Sequence, residues 1–216
     1  MSENALSLAC VAFFACSVAA AQGDAKGNEV KPSVIVTGIF SEILVIPYQE
    51  GFVGVFARTH NDFYINEMVL KGETVDRWSQ MITQTGRKGL SSSPNVSPMG
   101  YLNAIAGGIK SHCPDTYAAK AIGATTVSGH DGFIAWTSCG KLAADGSEHS
   151  ESTLFICIKG TEDYYTVQWA ERGPASSQPL VYEDAKWGER LKRLSSVQIV
   201  PRAPGEATPH PAVDQK

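Results

Sequence analysis

The chain has 216 residues, and its 18 Lys and Arg against 22 Asp and Glu give a formal net charge of −4 at pH 7. A chain of this length can bury one sizeable hydrophobic core, which favours a single domain. The small net charge gives no electrostatic reason to expect nucleic acid or an anionic membrane as a partner, and we predict neither.

The N-terminal segment, residues 1–21, has the features of a secretory signal peptide. An apolar stretch runs from Leu6 to Ala20, and alanines supply a small-residue cleavage site. The positive charge usual at the start of a leader is missing, because Glu3 is the only charged side chain. Two alternatives stay open: an uncleaved anchor, although a span needs about 20 apolar residues, and a lipoprotein signal at Cys16. Cleavage would leave a periplasmic or secreted protein with no stable membrane span.

Three segments are predicted beyond the leader. Residues 22–32 are polar and contain Gly, Asn and Pro, which indicates a flexible N-terminus. Residues 33–200 carry the apolar periodicity of a single folded domain. Residues 201–216 contain four prolines and few apolar residues, which predicts a disordered tail.

In the first half of the domain, strands are predicted at 43–46, 53–59 and 63–70, the last two forming a hairpin. Thr74 is placed to cap a helix that carries apolar residues at helical spacing as far as Gly86. Ser97 before Pro98 predicts the start of a second helix, and Pro114 its end.

The second half predicts two hairpins and a final helix. The hairpins join 121–127 to 133–139 and 153–159 to 164–171 through glycine-containing turns, and the helix covers 183–194. Strands cluster instead of alternating with helices. The predicted fold class is therefore α+β, a mostly antiparallel sheet covered by two or three helices.

Three cysteines follow the leader, at Cys113, Cys139 and Cys157. An odd number in an exported protein predicts one disulfide and one free thiol. Cys157 lies in the middle of a very apolar strand, where a cysteine is usually a small core residue. The pair Cys113–Cys139 is therefore favoured, while Cys113–Cys157 and Cys139–Cys157 stay open.

Common catalytic and cofactor motifs are absent: there is no phosphate-binding loop, dinucleotide fingerprint, Gly-x-Ser-x-Gly elbow or Cys-x-x-Cys. No cofactor, metal or catalytic residue is predicted. Two pairs are the candidates for an alternative enzymatic role: His112 beside Cys113, where a base could activate a thiol, and His130 beside Asp131.

Two further clusters have both a structural and a functional interpretation. His130 and Asp131, with Glu148 and His149 from a later loop, offer nitrogen and oxygen ligands of the kind zinc binds, but at no recognised spacing. The aromatic residues of the late strands are expected to fill the core, with an exposed peptide or glycan groove as the alternative. They are Trp136, Tyr164, Tyr165 and Trp169.

The segment 72–83, Gly-Glu-Thr followed by a Trp and then Met-Ile-Thr, resembles a helix entry found in uncharacterised small exported bacterial proteins. The element order over 53–195 is also loosely similar to the Mog1/PsbP-like sandwich. This resemblance implies a fold and an envelope location, and it assigns no catalytic residue.

These observations predict an exported, non-catalytic protein that binds an unidentified protein, peptide or envelope component. The alternative is a small secreted hydrolase that uses His112 and Cys113 or His130 and Asp131.

Overall fold

The computed structural model describes residues 33–144, 147–203 and 205. The strands in these residues are β1 (Val34–Ile39), β2 (Glu42–Pro47), β3 (Phe52–His60), β4 (Phe63–Leu70), β5 (Gln80–Arg87), β6 (Tyr117–Val127), β7 (His130–Ala144), β8 (Ser147–Lys159), β9 (Tyr164–Pro174) and β10 (Gln198–Pro201). The helices are α1 (Pro98–His112) and α2 (Asp184–Arg193), with a 3₁₀ turn at Leu90–Ser92. The predicted leader, the predicted flexible N-terminus and nearly all of the predicted tail lie outside the described residues.

The described strands form two antiparallel sheets. Seven strands make the large sheet, in the order β3-β4-β5-β9-β8-β7-β6, and three make the small sheet, in the order β1-β2-β10. Strands β4 and β5 join β9 and β8 at the centre, so the first and second halves of the chain share one sheet. The small sheet pairs the beginning of the domain with its end.

The main core lies between the two sheets. Ile82, Val167 and Trp169 of the large sheet pack with Leu44 and Ile46 of the small sheet, and all five are fully buried. Apolar side chains at alternate positions of each strand make this contact, because successive residues of a strand point to opposite faces. We call this the inner face of the large sheet.

A buried polar cluster crosses this core. The Thr37 hydroxyl donates to Gln84 Oε1 at 2.8 Å, and the Asn66 amide donates to the same oxygen at 2.9 Å. All three residues are fully buried. Because Thr37 belongs to β1 and the other two to the large sheet, the cluster specifies how one sheet sits on the other.

Helix α2 covers another part of the inner face. Its Trp187 packs against Trp136 of β7 and Leu154 of β8, with 6.1 Å between the two indole centroids. Helix α1 covers part of the opposite face, which we call the outer face. There Leu102 packs with Phe155 and other apolar residues of the sheet.

The predicted α+β class, a sheet covered by two or three helices, is wrong. The described chain is mostly antiparallel strand, and a second sheet covers much of the inner face, which makes the fold β-sandwich-like. Neither β1 nor β10 was predicted. Both are short strands that pair with β2, β1 through the tight turn at residues 40–41 and β10 from the opposite end of the domain.

The largest error is the predicted helix that begins at Thr74. Residues 80–87 form β5 at the centre of the large sheet instead. The predicted cap does form locally, since the Thr74 hydroxyl accepts from the Arg77 backbone at 3.2 Å, but it closes a turn. Met81 and Ile82 lie on opposite faces of the strand. The same apolar residues fit a period of 3.6 over a short window, so periodicity alone misassigned the segment.

The other predicted elements are confirmed, with shifted ends. The second predicted helix is α1, and the Ser97 side chain accepts from the Gly100 backbone as its cap. The final helix is α2, and both late hairpins form, as β6–β7 and β8–β9. Strand β10 reaches Pro201, where the disordered tail was predicted to begin. None of the helices in the described part of the chain is long and apolar enough to cross a membrane.

Candidate functional site

Cys113 and Cys139 form the disulfide that the sequence favoured. Their Cα atoms lie 5.7 Å apart, and the bond joins the residue that caps the end of α1 to strand β7. Cys157 is a free thiol and is fully buried, as predicted. Burial raises the pKa of this thiol to about 12. The disulfide removes the thiol that a nucleophilic Cys113 would need, and His112 is exposed at the end of α1.

The structure separates the groups considered for a metal site. His130 begins β7, whereas His149 lies opposite Leu142 at the far end of that strand. The twelve positions between His130 and Leu142 (142 − 130) correspond to more than about 30 Å along a strand. No group of three or more His, Cys, Asp or Glu that could hold a metal occurs among the described residues. A hydrolytic role for His130 and Asp131 stays a prediction.

The four aromatic residues considered as an exposed groove are core residues. Trp136, Tyr164, Tyr165 and Trp169 are each at most 2% exposed. The expectation that they fill the core is therefore confirmed, and they form no open groove.

The candidate site is a cleft over the outer face of the large sheet, which we call the sheet cleft. Its volume is about 650 Å³. Strands β4, β5, β9 and β8 form its floor, α1 borders one side, and the turn that leads into β5 contributes Trp78 to its lining. The sheet cleft exists because α1 covers only part of the outer face.

The floor of the sheet cleft is polar. Thr83, Thr85 and Thr153 line it, each at most 7% exposed, together with Gln168. The Thr85 hydroxyl lies 2.6 Å from that of Thr166, which also accepts from the Gln168 amide at 2.9 Å. In the described part of the chain, the hydroxyls of Thr83 and Thr153 have no hydrogen-bond partner. Neither hydroxyl is among the fully buried polar atoms without a partner, and both residues line the cleft, so the two hydroxyls can bind a ligand or water.

One end of the sheet cleft is held by an arginine network. The Arg172 guanidinium stacks 3.9 Å from the centroid of the Trp78 ring and donates to Glu151 Oε2 at 3.2 Å. It also donates to the Asp76 carbonyl at 3.2 Å. This network fixes the position of the Trp78 ring and gives Glu151 a cationic partner.

A second arginine lies near α1. Arg87 donates to the Asp62 carboxylate at 3.0 Å, and its guanidinium lies 4.9 Å from the centroid of the Phe63 ring. It also interacts with Tyr101 of α1. Burial raises the pKa of the Tyr101 hydroxyl, and the positive charge of Arg87 opposes that rise.

Glu67 is the remaining carboxylate of the sheet cleft. It lies half-buried on β4, opposite Thr83 of β5. No ion pair or hydrogen bond to its side chain is present in the described part of the chain. Burial raises the pKa of the Glu67 carboxyl, and the negative charge of Glu151 raises it further. A positively charged neighbour stabilises the ionised form of a carboxylate that lies near a second carboxylate and away from water.

No local sequence pattern reveals this site, because its residues come from four strands and a helix. Glu67 and Glu151 are 84 positions apart in the chain (151 − 67). One signal was present: Ile82, Thr83 and Thr85 are β-branched, a residue type enriched in strands. That signal was lost when the segment was interpreted as a helix.

Comparisons with known proteins give no family. No family model matches the chain, and no curated protein matches it. A crystal structure from Bacteroides thetaiotaomicron is similar at 8% identity and a TM-score of 0.37, covering 76% of this chain, which spans 46% of that protein's length. The crystal structure of LpqN, involved in cell envelope biogenesis of Mycobacterium tuberculosis, is similar at 10% identity and a TM-score of 0.38, covering 79% of this chain and 93% of that one. At these TM-scores neither likeness establishes a shared fold.

Proposed function

We propose that this protein acts outside the cytoplasm, in the periplasm or as a secreted protein, and that it binds a small ligand or a short peptide in the sheet cleft. The observation that carries the binding role is the polar, uncovered half of the outer face. The extracytoplasmic location is supported by the Cys113–Cys139 disulfide, since such bonds form and persist in oxidising compartments, and by the leader-like segment 1–21.

The sheet cleft has the size and composition of a binding site. Its volume of about 650 Å³ falls within the range of pockets that take small molecules, roughly 300–1,000 Å³. Apolar and aromatic side chains, Trp78 and Tyr101 among them, lie beside a few polar groups. Such groups orient a ligand, whereas the apolar contacts supply much of the affinity.

The charges of the sheet cleft also support a binding role. Arg172 pairs with Glu151, and among the described residues Glu67 is the one carboxylate of the cleft lining without a cationic partner. A ligand can supply that partner.

The binding role is tested by blocking the sheet cleft from its exposed side. Ala104 of α1 lines the cleft and is exposed, so Ala104→Trp should fill the space without disturbing the core. Asn103→Trp adds the same ring at an exposed position outside the lining. Each protein is purified with its disulfide intact and then denatured, and the released molecules are compared by mass spectrometry.

We expect a molecule that copurifies with the wild type and with Asn103→Trp but not with Ala104→Trp. The same set of molecules from all three proteins would contradict the binding role. The location is tested separately, by fractionating the producing cells and determining the N-terminus of the protein. An intact chain with reduced Cys113 and Cys139 in the cytosol would contradict export.

A further inference from the structure

We propose that the ligand of the sheet cleft carries a cationic group, an ammonium or a guanidinium on an apolar stem, and that Glu67 is the anionic partner of that group. This inference rests on the proposed function, because it concerns the ligand of the same site.

The charges that line the sheet cleft favour a cationic ligand. Both arginines of the lining already have carboxylate partners within the protein, Arg172 with Glu151 at 3.2 Å and Arg87 with Asp62 at 3.0 Å. Glu67 has no such partner among the described residues. Its charge is therefore the one left for a ligand to neutralise, and hydrogen bonds between ionised groups are about twice as strong as those between neutral groups.

The hydroxyls of the floor fit the same group. Thr83 lies directly opposite Glu67 in the pairing of β4 with β5, and its hydroxyl has no partner in the described residues although the residue is 7% exposed. An ammonium has three donors and a guanidinium has five. A cation beside Glu67 therefore has donors to spare for the Thr83 hydroxyl, which can accept a hydrogen bond.

The remaining lining suits an apolar stem. Ile65 flanks Glu67 on the outer face of β4, and Met81 and Ile105 complete apolar walls from β5 and α1. Long basic side chains bury their methylene stems along such surfaces while the charged end stays with a polar partner. A ligand that combines a stem with a cation uses both kinds of surface.

Affinity should then depend on pH through Glu67. A bound cation favours the ionised carboxylate, and the pKa of Glu67 in the free protein is raised by burial and by Glu151. Binding should therefore strengthen as pH rises through this pKa and level off above it. The other titratable or charged groups near the site are Glu151 and its neighbour His149 on β8, Arg172 on β9, Arg87 on β5 with its partner Asp62, and Tyr101 on α1.

The test is isothermal titration calorimetry with three probes. Acetyl-Gly-Arg-Gly-amide presents a guanidinium on a peptide, agmatine presents it on a free small molecule, and acetyl-Gly-citrulline-Gly-amide is a neutral match to the first. We expect the arginine peptide or agmatine to bind, and the citrulline peptide to bind at least about tenfold more weakly. Tighter binding of the arginine peptide identifies a basic peptide side chain as the ligand, and tighter binding of agmatine identifies a free cationic small molecule.

Variants assign the binding to Glu67. Glu67→Gln keeps the shape of the side chain and removes its charge. It should weaken binding of the cation about tenfold or more and remove the pH dependence of that binding. Glu162→Gln, at an exposed acid outside the cleft, should change neither the affinity for the cation nor its pH dependence. Should Glu67→Gln fail to fold, Thr83→Val provides the second variant and should weaken binding severalfold.

Equal binding of the arginine and citrulline peptides would overturn the proposal that the ligand is cationic. So would a failure of both the arginine peptide and agmatine to bind at millimolar concentration. The proposed function fails differently. If Ala104→Trp binds the arginine peptide as well as the wild type does, the sheet cleft is not the binding site and both proposals fail. If the molecule that the wild type releases and Ala104→Trp does not is neutral or anionic, the proposed binding function stands and the proposal of a cationic ligand fails.

Discussion

The two halves of the outer face of the large sheet have the same strand geometry but different surroundings. Under α1 the outward positions are apolar, as at Phe155, Cys157 and Tyr164, and they are buried. On β4, β5 and β9 the corresponding positions include Glu67, Thr83 and Gln168, and no helix covers them. In these two regions, coverage by the helix coincides with apolar residues at the outward positions of neighbouring strands.

Strand β8 crosses the boundary between the two halves. Phe155 packs with Leu102 of α1, whereas Thr153, the next outward position, lines the sheet cleft. Burial of an aromatic side chain stabilises the protein by about 1.5–3 kcal/mol, which favours the helix over Phe155. A threonine hydroxyl gives no comparable gain and leaves its neighbourhood open for a ligand.

The largest effect should come from the covered half. Phe155→Ala should lower the free energy of unfolding by about 3–5 kcal/mol, because it removes a buried aromatic ring and leaves a cavity. Thr153→Val on the same strand should change it by less than about 1 kcal/mol. Urea denaturation followed by circular dichroism measures both. Equal losses would show that the two halves do not differ in packing.

The disulfide at the end of α1 should have the next largest effect. The Cys113→Ala/Cys139→Ala double variant should lose about 3.5 kcal/mol in the chain-entropy model for a separation of 26 residues. A reducing agent should lower the stability of the wild type to a similar extent and leave the double variant unchanged. An unchanged wild type under reduction would show that the bond contributes no stability.

Cys157, also under α1, should have a smaller effect. Cys157→Ser should cost about 1–2 kcal/mol because it buries a hydroxyl in an apolar site. Since burial raises the pKa of the Cys157 thiol to about 12, a thiolate-directed reagent at pH 8 should label this residue only after unfolding. Peptide mapping by mass spectrometry assigns the label, and rapid labelling of the native protein would contradict the packing under α1.

The smallest effect should come from Glu67 in the open half. Its pKa is raised in the folded protein, so folding favours the protonated carboxyl, and stability should fall as pH rises from below the ordinary pKa of 4.5 through the raised pKa. Glu67→Gln should remove that fall and make the protein slightly more stable than the wild type at neutral pH. Thermal unfolding at several pH values measures it. A wild type that gains stability over this range relative to Glu67→Gln would contradict a raised pKa.

Sequence patterns predicted the parts of this fold that depend on local signals. The hairpins β6–β7 and β8–β9 combine apolar strands with glycine-containing turns, and α1 has a serine cap followed by proline. The pattern failed for β5, where Thr74 closes a turn and the next residues pair with β4 and β9. Strand pairing overrode a helical spacing that extended from Val75 to Thr85.

The disulfide and the sheet cleft also differ in whether the sequence predicts them. The Cys113–Cys139 pair could be predicted because only three cysteines follow the leader-like segment 1–21 and one of them lies in the middle of an apolar strand. The sheet cleft could not be predicted, since Glu67, Thr83 and Glu151 become neighbours only when four strands align. Their register depends on the whole sheet, and no local pattern encodes it.

The sequence by itself determined the hairpins, the two helices, the favoured disulfide and the burial of the late aromatic residues. Each of these follows from residue types within a few positions of one another. Only the tertiary structure decided that a second sheet covers the inner face, that β5 lies at the centre of the large sheet, and that half of the outer face stays open. The physical reason is that burial and strand pairing act between residues far apart in the chain, and their balance is set only when the sheets pack.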